Sequence, residues 1–325
     1  MEYGVVVPSQ GHFGDPGAIR AFIAAAEDLG YHTAWFGDHV ILPSYAVHLS
    51  PPNWFDSLAS CLVGVGMTTR LRFSPDVLVL PYRNPVELAH VIATADQLCG
   101  GRLTLATGIG YIRGEFSALG APPYEERGKV TTEYLRVLRT LWRADGAVSF
   151  RGEYVQLDDV YQGPSPLQDP FPLLVGGNSA AGIARAALEG NGWHPLFPTP
   201  EGYRSGRDTI LRLRAEAGLT ERFTFALSCP GTQVVIGRSL DVAPLDHSQY
   251  GDVPEEYHYA PAIPTVDGRA RFVGNPEQLV DDVRAYAAVG VEHLALRFWT
   301  VDPSATVDGV IAQMRLWQER VSPFV

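Results

Sequence analysis

The feature that most constrains this chain is an alternation running from one end to the other. Short apolar runs, rich in Val, Leu and Ala, are each followed by a longer amphipathic segment. Tyr3–Pro8, Thr33–Phe36, Arg72–Leu80, Leu103–Thr107, Leu173–Val175, Gly192–His194, Phe223–Ser228 and His293–Phe298 read as strands. The segments after them, Ala18–Leu29, Phe55–Val65, Pro85–Leu98, Tyr124–Trp142, Ala180–Glu189, Gly202–Ala217, Pro276–Val289 and Ser304–Val321, read as helices. Gly30 closes the first helix, and Pro85 opens the third at its first turn. Unbroken apolar strands separated by helices predict a parallel sheet covered on both faces. Eight such units predict a closed (β/α)8 TIM barrel in an α/β fold, with an open doubly wound sheet as the alternative. The chain, 1–325, reads as one domain.

Two stretches interrupt the rhythm. After the fourth helix, VSFRGEYV (Val148–Val155) predicts a small hairpin turning at Arg151-Gly152, and the Pro-rich GPSPLQDPFP follows it. Before the eighth unit lies an irregular stretch, 237–269. It carries Tyr250, Tyr257, His258 and Tyr259, and its length suits a loop covering a substrate.

Charge narrows the partners. A net charge of −11 argues against a nucleic-acid partner. Lys129 is the only lysine, so an anionic ligand would be held by arginines, backbone amides and helix N-termini. Cys61, Cys99 and Cys229 are scattered without a CxxC pair, and His194, His247, His258 and His293 show no recognisable metal spacing. No apolar run reaches the roughly 20 residues of a membrane span. A cytoplasmic protein is expected.

A barrel places its chemistry at the C-terminal ends of its strands. The second strand ends in GDHV, which sets Asp38 and His39 at the mouth, a proton-transferring imidazole beside an acid that can orient it. The fourth strand opens into Thr107-Gly108-Ile109-Gly110, where glycines allow close approach of a flat or anionic ligand. GIGYIRG has dinucleotide-like glycine spacing, but no helix is expected to begin inside it and it is not read as a Rossmann fingerprint. Gly176-Gly177-Asn178-Ser179 runs from a strand into a helix at about Ala180, a geometry suited to phosphate, with Ser179 also fit to cap. In the third strand, Pro75-Asp76 breaks the pattern and calls for a bulge or an unusual peptide.

With these residues in view, the chain resembles the bacterial-luciferase-like family of flavin- and deazaflavin-dependent enzymes. The resemblance is carried by AEDLGYHTAWFGDHVILP, LVLPYRNPVELAHVIATADQLCGGRLTLATGIGYIRGEF, PPYEERGKVTTEYLRVLRTLW, LLVGGNSAAGIARAALEGNGWHP and VGNPEQLVDDVRAYAAVGVEHLALRF, in the family's order. GDHVILP, LPYRNP and GGNS…GNGWHP are most similar to the branch that uses the 5-deazaflavin coenzyme F420. The resemblance implies a luciferase-type barrel, often dimeric, and a homodimer is expected. It implies a ring in the barrel mouth flanked by Asp38 and His39, and a non-prolyl cis peptide at Asp76–Val77 behind the ring. It implies Thr107 and Gly108 lining the cofactor, and a phosphate tail running to Gly176, Gly177, Asn178 and Ser179.

Members that oxidise sugar phosphates carry an acid directly after the Thr-Gly pair, whereas this chain has Ile109, so a less polar organic substrate is expected. Aromatic candidates at the mouth are Trp35, Trp54, Tyr111, Trp193, Phe298 and Trp299. The function implied is F420-dependent hydride transfer to or from a small organic molecule, with His39 moving the proton and Asp38 orienting it or contacting the ring. Arg113, Arg185 and Arg297 are candidates to hold the coenzyme's tail. Alternatives are a monooxygenase using reduced FMN and dioxygen, and a flavin-binding homologue without turnover.

Overall fold

A computed structural model describes residues 1–47, 52–237, 263–298 and 305–325. Its strands are β1 (Glu2–Val7), β2 (Thr33–Phe36), β3 (Arg72–Pro75), β4 (Leu78–Val79), β5 (Leu105–Gly108), β6 (Val148–Arg151), β7 (Gln156–Val160), β8 (Leu173–Val175), β9 (Gly192–Trp193), β10 (Thr224–Gly231), β11 (Gln233–Val234), β12 (Thr265–Val266), β13 (Arg269–Ala270), β14 (Val273–Gly274) and β15 (His293–Arg297). Its α-helices are α1 (Pro16–Asp28), α2 (Ser57–Met67), α3 (Pro85–Leu98), α4 (Arg113–Leu119), α5 (Arg127–Trp142), α6 (Ala180–Glu189), α7 (Pro200–Glu216), α8 (Pro276–Ala287) and α9 (Val307–Arg320).

One sheet runs β3-β2-β1-β15-β10-β9-β8-β5-β4, and its pairings are parallel. β3 and β4 are two halves of one strand, broken at Asp76-Val77. The ends meet where Phe73 N donates to Arg102 O and Thr104 N to Phe73 O, both at 2.9 Å. The result is the expected eight-stranded barrel. Inside it, Val6, Trp35, Ala106, Leu174, Ala226 and Ala295 form a small apolar layer. The larger core lies between barrel and helices, built from the opposite faces of the same strands (Val5, Val7, Ala34, Phe36, Leu105, Leu294). Alternation along each strand divides the two cores.

Helix starts follow their caps. Asp15, Asp56, Asn84, Ser179, Thr199, Asn275 and Thr306 each accept amide protons from the turn they begin. Among the described residues no helix is long and apolar enough to cross a membrane.

Three local readings change. The hairpin pairs β6 with β7, so its turn is Gly152–Val155 rather than Arg151-Gly152. The buttress is Glu133 on α5, whose carboxylate accepts the amides of Glu153, Tyr154 and Val155 at 2.7–2.8 Å. A helix, α4, does begin inside GIGYIRG, at Arg113. In the 237–269 stretch, β12 and β13 pair as a tight hairpin. Residues 238–262 lie outside the described residues, and so do Tyr250, Tyr257, His258, Tyr259 and Trp299.

Candidate active site

Parallel strands end on the same side of the barrel. Asp38-His39 after β2, Asp76-Val77 between β3 and β4, Thr107-Gly108 in β5 and Gly176–Ser179 after β8 therefore share one rim.

His39 is held on both nitrogens. Its Nδ1 lies 3.1 Å from Oε2 of Glu115, and its Nε2 lies 3.2 Å from the Tyr111 hydroxyl. A carboxylate only accepts, so Nδ1 carries a proton and Nε2 presents its lone pair to a donor. The rings of Trp54 and Tyr111 stand edge-on to the imidazole at 4.7 and 5.7 Å. Gly37 is needed here because a Cβ would come within 2.6 Å of the Trp54 ring. Glu115 is buried, at 1 % side-chain exposure, and it also accepts from Tyr82 Oη at 3.1 Å and from the Val40 amide at 3.2 Å. Burial and the Glu115 carboxylate drive the Tyr82 phenol far above its ordinary pKa, so it remains a hydrogen-bond donor.

The acid that meets the His39 ring is thus Glu115 on α4, not its sequence neighbour Asp38. Asp38 is buried and fully engaged elsewhere. Its oxygens accept from both terminal nitrogens of Arg83 at 2.7 and 2.8 Å, from Ser57 Oγ at 2.8 Å and from the Val79 amide at 2.8 Å. It clamps the strand just beyond the break, and α2 and the loop before α3 supply the other partners.

The break itself is the cis peptide Asp76–Val77, at the expected position. Asp76 turns into the barrel, where His194 Nε2 at 2.7 Å, Arg297 at 2.9 Å and Ser228 at 3.4 Å surround its carboxylate. Desolvation alone would raise its pKa, but the His194 hydrogen bond, the charges of His194 and Arg297 and the Ser228 hydroxyl outweigh it and hold the pKa below the usual value. His194 lies flat on Trp35, with centroids 4.6 Å apart and planes 5° from parallel.

Val77 packs on the apolar layer inside the barrel. Two glycines flank it: a Cβ on Gly108 would meet Val77 Cγ2 at 2.5 Å, and one on Gly176 would lie 3.5 Å from its Cγ1. Thr107 is fully buried and spends its hydroxyl on Leu174 O at 3.1 Å, so of the Thr-Gly pair only Gly108 reaches the rim.

After β8 the chain passes through Gly176 and through Gly177, whose φ of +113° favours glycine. Ser179 Oγ accepts from the Gly182 amide at 3.2 Å, capping α6. Asn178 is tied to the Leu196 backbone in both directions, at 2.6 and 3.1 Å, which fixes the loop. Arg185 does not face this loop: its guanidinium binds Thr132 Oγ1 at 2.9 Å and Gly128 O at 3.0 Å on α5. Arg113 pairs with Glu125 and covers the Tyr124 ring, and Arg297 pairs with Asp76. Of the aromatic candidates, Trp54 and Tyr111 touch His39, Trp35 lies inside the barrel, and Trp193 and Phe298 are core.

Sequence and fold comparisons agree with this architecture. The matched part of an uncharacterised protein of Mycobacterium tuberculosis is 34% identical over 157 residues, 48% of this chain and 53% of that protein. The chain thus spans about half the length of that relative. The FMNH(2)-dependent dimethylsulfone monooxygenase of Pseudomonas fluorescens is 28% identical over 264 residues, covering 73% of this chain and 71% of that one. An F420-dependent secondary alcohol dehydrogenase, solved with an F420-acetone adduct, superposes with a TM-score of 0.76 at 20% identity, covering 100% of this chain and 99% of that one. The family model described as luciferase-like monooxygenase matches residues 1–250, more than half of the sequence. This chain therefore belongs to the luciferase-like monooxygenase family, whose members are F420- or flavin-dependent oxidoreductases and monooxygenases.

Proposed function

We propose that the protein is an F420-dependent oxidoreductase that interconverts a small alcohol and its carbonyl compound. The observation that carries this reading is the Glu115–His39–Tyr111 chain at the barrel mouth. Bound F420 would supply the chemistry of accepting or giving a hydride. His39 Nε2 would take the hydroxyl proton as the C–H hydride leaves, and return it in the reverse direction. Glu115 would fix the tautomer that leaves Nε2 basic and stabilise the imidazolium once formed. Tyr111, whose hydroxyl now meets Nε2, occupies the place where a substrate oxygen would be received.

The residues present fit such a cofactor. Gly108 and Gly176 leave Val77 uncovered as a flat apolar support for a ring. Gly176, Gly177, Asn178 and Ser179 bring backbone amides and the positive end of α6 to the same rim, where an anionic phosphate is favoured. Asp38 would act by position, holding β4 through Val79. Ile109 and the aromatic rings of Trp54 and Tyr111 beside His39 favour an uncharged substrate over a sugar phosphate.

A monooxygenase reading is favoured by the likeness to the dimethylsulfone enzyme, and one experiment separates the two. Purified protein is titrated with F420 and with FMN, then assayed for F420 reduction by a panel of secondary alcohols and for oxygen uptake. Preference for F420, with alcohol-dependent reduction and no oxygen uptake, is expected. FMN preference with substrate-dependent oxygen uptake would overturn the proposal, and binding of neither would leave a homologue without turnover. The same reading makes the chain a homodimer, supported by apolar side chains exposed on α2 and α3 (Leu62, Val63, Met67, Leu98) and checked by light scattering.

A further inference from the structure

At the end of the barrel opposite the mouth, the first residues of β1 and β15 pair directly (Glu2 with His293), and β2 begins beside them. Glu2, His32 and His293 each offer a ligand atom there, and these atoms all lie within 4.8 Å of one another. His32 Nε2 is 3.4 Å from Glu2 Oε1, and His293 Nδ1 is 3.4 Å from Glu2 Oε2. Such distances are long for hydrogen bonds. The two contacts reach different oxygens of Glu2, and one ligand atom from each of the three residues lies within 4.8 Å of the others, near enough to close on a shared cation after small side-chain rotations.

The outer contacts suit ligation as well. His32 Nδ1 lies 2.7 Å from Thr33 Oγ1, a partner that can accept the Nδ1 proton and leave the Nε2 lone pair facing Glu2. A surface pocket lined by Glu2, His32, Met1, Gly30, Gln318 and Ser322 opens beside the cluster and provides both entry and room for a fourth ligand. Two imidazoles and one carboxylate, with a fourth position open, form a known donor set for zinc.

We propose that Glu2, His32 and His293 bind one divalent cation of the zinc class on the barrel floor, with water as the fourth ligand. The cation would join the first strand to the second and the last across the seam where the barrel's beginning meets its end. The site is independent of the cofactor rim, and no spacing motif announces it because its ligands lie at positions 2, 32 and 293.

Trp35 supplies an internal check. Its indole N–H, a donor only, lies 3.2 Å from His293 Nε2, which places the imidazole proton on Nδ1 when no cation is bound. Ligation through Nδ1 moves that proton to Nε2, against the indole N–H. Cation binding must therefore break this contact and change the surroundings of Trp35.

The test uses the whole chain, stripped with a chelator and then titrated with Zn2+ by calorimetry and with Co2+ by visible absorption. Expected are one equivalent bound, the intense d–d band of four-coordinate Co2+, a change in near-UV circular dichroism and a raised melting temperature. His32→Ala and Glu2→Gln should each weaken binding at least about tenfold. Absence of binding, a six-coordinate Co2+ spectrum with unchanged dichroism, or binding unaffected by both variants would overturn the proposal. Should either variant fail to fold, the cobalt spectrum and dichroism of the unmodified chain still decide.

Discussion

Replacing Gly108 by alanine tests the rim geometry at its tightest point. The added methyl would stand 2.5 Å from Val77 Cγ2, whereas carbon atoms in contact rest about 3.5–4.0 Å apart. Val77 must therefore yield by roughly 1 Å or more. Turning its side chain gives little relief: it is β-branched and stiff, and its other methyl already borders Gly176. Overpacking of this kind costs about 1–3 kcal/mol. Gly66→Ala on α2 is the control, since nothing lies within 4 Å of its added methyl. Removing a helical glycine there should gain up to about 1 kcal/mol. Urea unfolding should thus separate the two variants by about 1–4 kcal/mol, the sum of these opposite effects. If Val77 supports the cofactor ring, the same displacement should weaken F420 or FMN binding about tenfold for each 1.4 kcal/mol passed to the bound state. A Gly108→Ala protein as stable as the parent, with unchanged cofactor affinity by fluorescence titration, would refute the argument.

Three further outcomes follow from the site. Glu115→Gln removes a charge-assisted hydrogen bond to His39 that contributes about 1.5–3 kcal/mol, so turnover should fall about tenfold to a hundredfold with little change in cofactor Kd. A parallel loss of both in steady-state and binding assays would make Glu115 merely structural. Asp38→Ala leaves the Val79 amide unpaired and half-buried Arg83 with Asp56 as its acid partner, and should lower unfolding stability by about 1–3 kcal/mol in urea melts; no measurable loss would contradict the clamp. Asp76 titrates lower folded than unfolded, so it contributes stability that is present above about pH 4 and is lost as pH falls through the folded value. Asp76→Asn should be less stable near neutrality yet lose less on acidification below pH 4, which parallel acid-unfolding curves would show; parallel slopes would dispose of the idea.

The barrel was legible because its own strands are buried on both faces, and burial writes itself into local sequence as an unbroken apolar run. Elements whose stability comes from a distant partner were not. The β6–β7 turn was misplaced because Glu133, twenty residues upstream, gathers the amides of 153–155. The seven-residue α4 was missed because glycine-rich GIGYIRG carries little helical signal and no side chain caps its start. The break at Asp76-Val77 was legible for the opposite reason: Pro75-Asp76 violates a strand pattern on the spot.

Polar pairing shows the same division more sharply. Asp38 and His39 are neighbours in sequence, and adjacency suggested that one orients the other. They leave β2 consecutively, however, and successive side chains of an extended chain project to opposite sides. Adjacency there makes contact harder. Asp38 accordingly meets Arg83, 45 residues on, while His39 meets Glu115, 76 residues on. The signal for Glu115 was present but faint: an acid in the first turn of a short segment, next to Phe116, at a position that only the closed barrel presses against the end of β2. A histidine at a strand end should therefore be matched first to acids on the loops after neighbouring strands. The acid beside it in sequence has, by the geometry of the extended chain, already turned away.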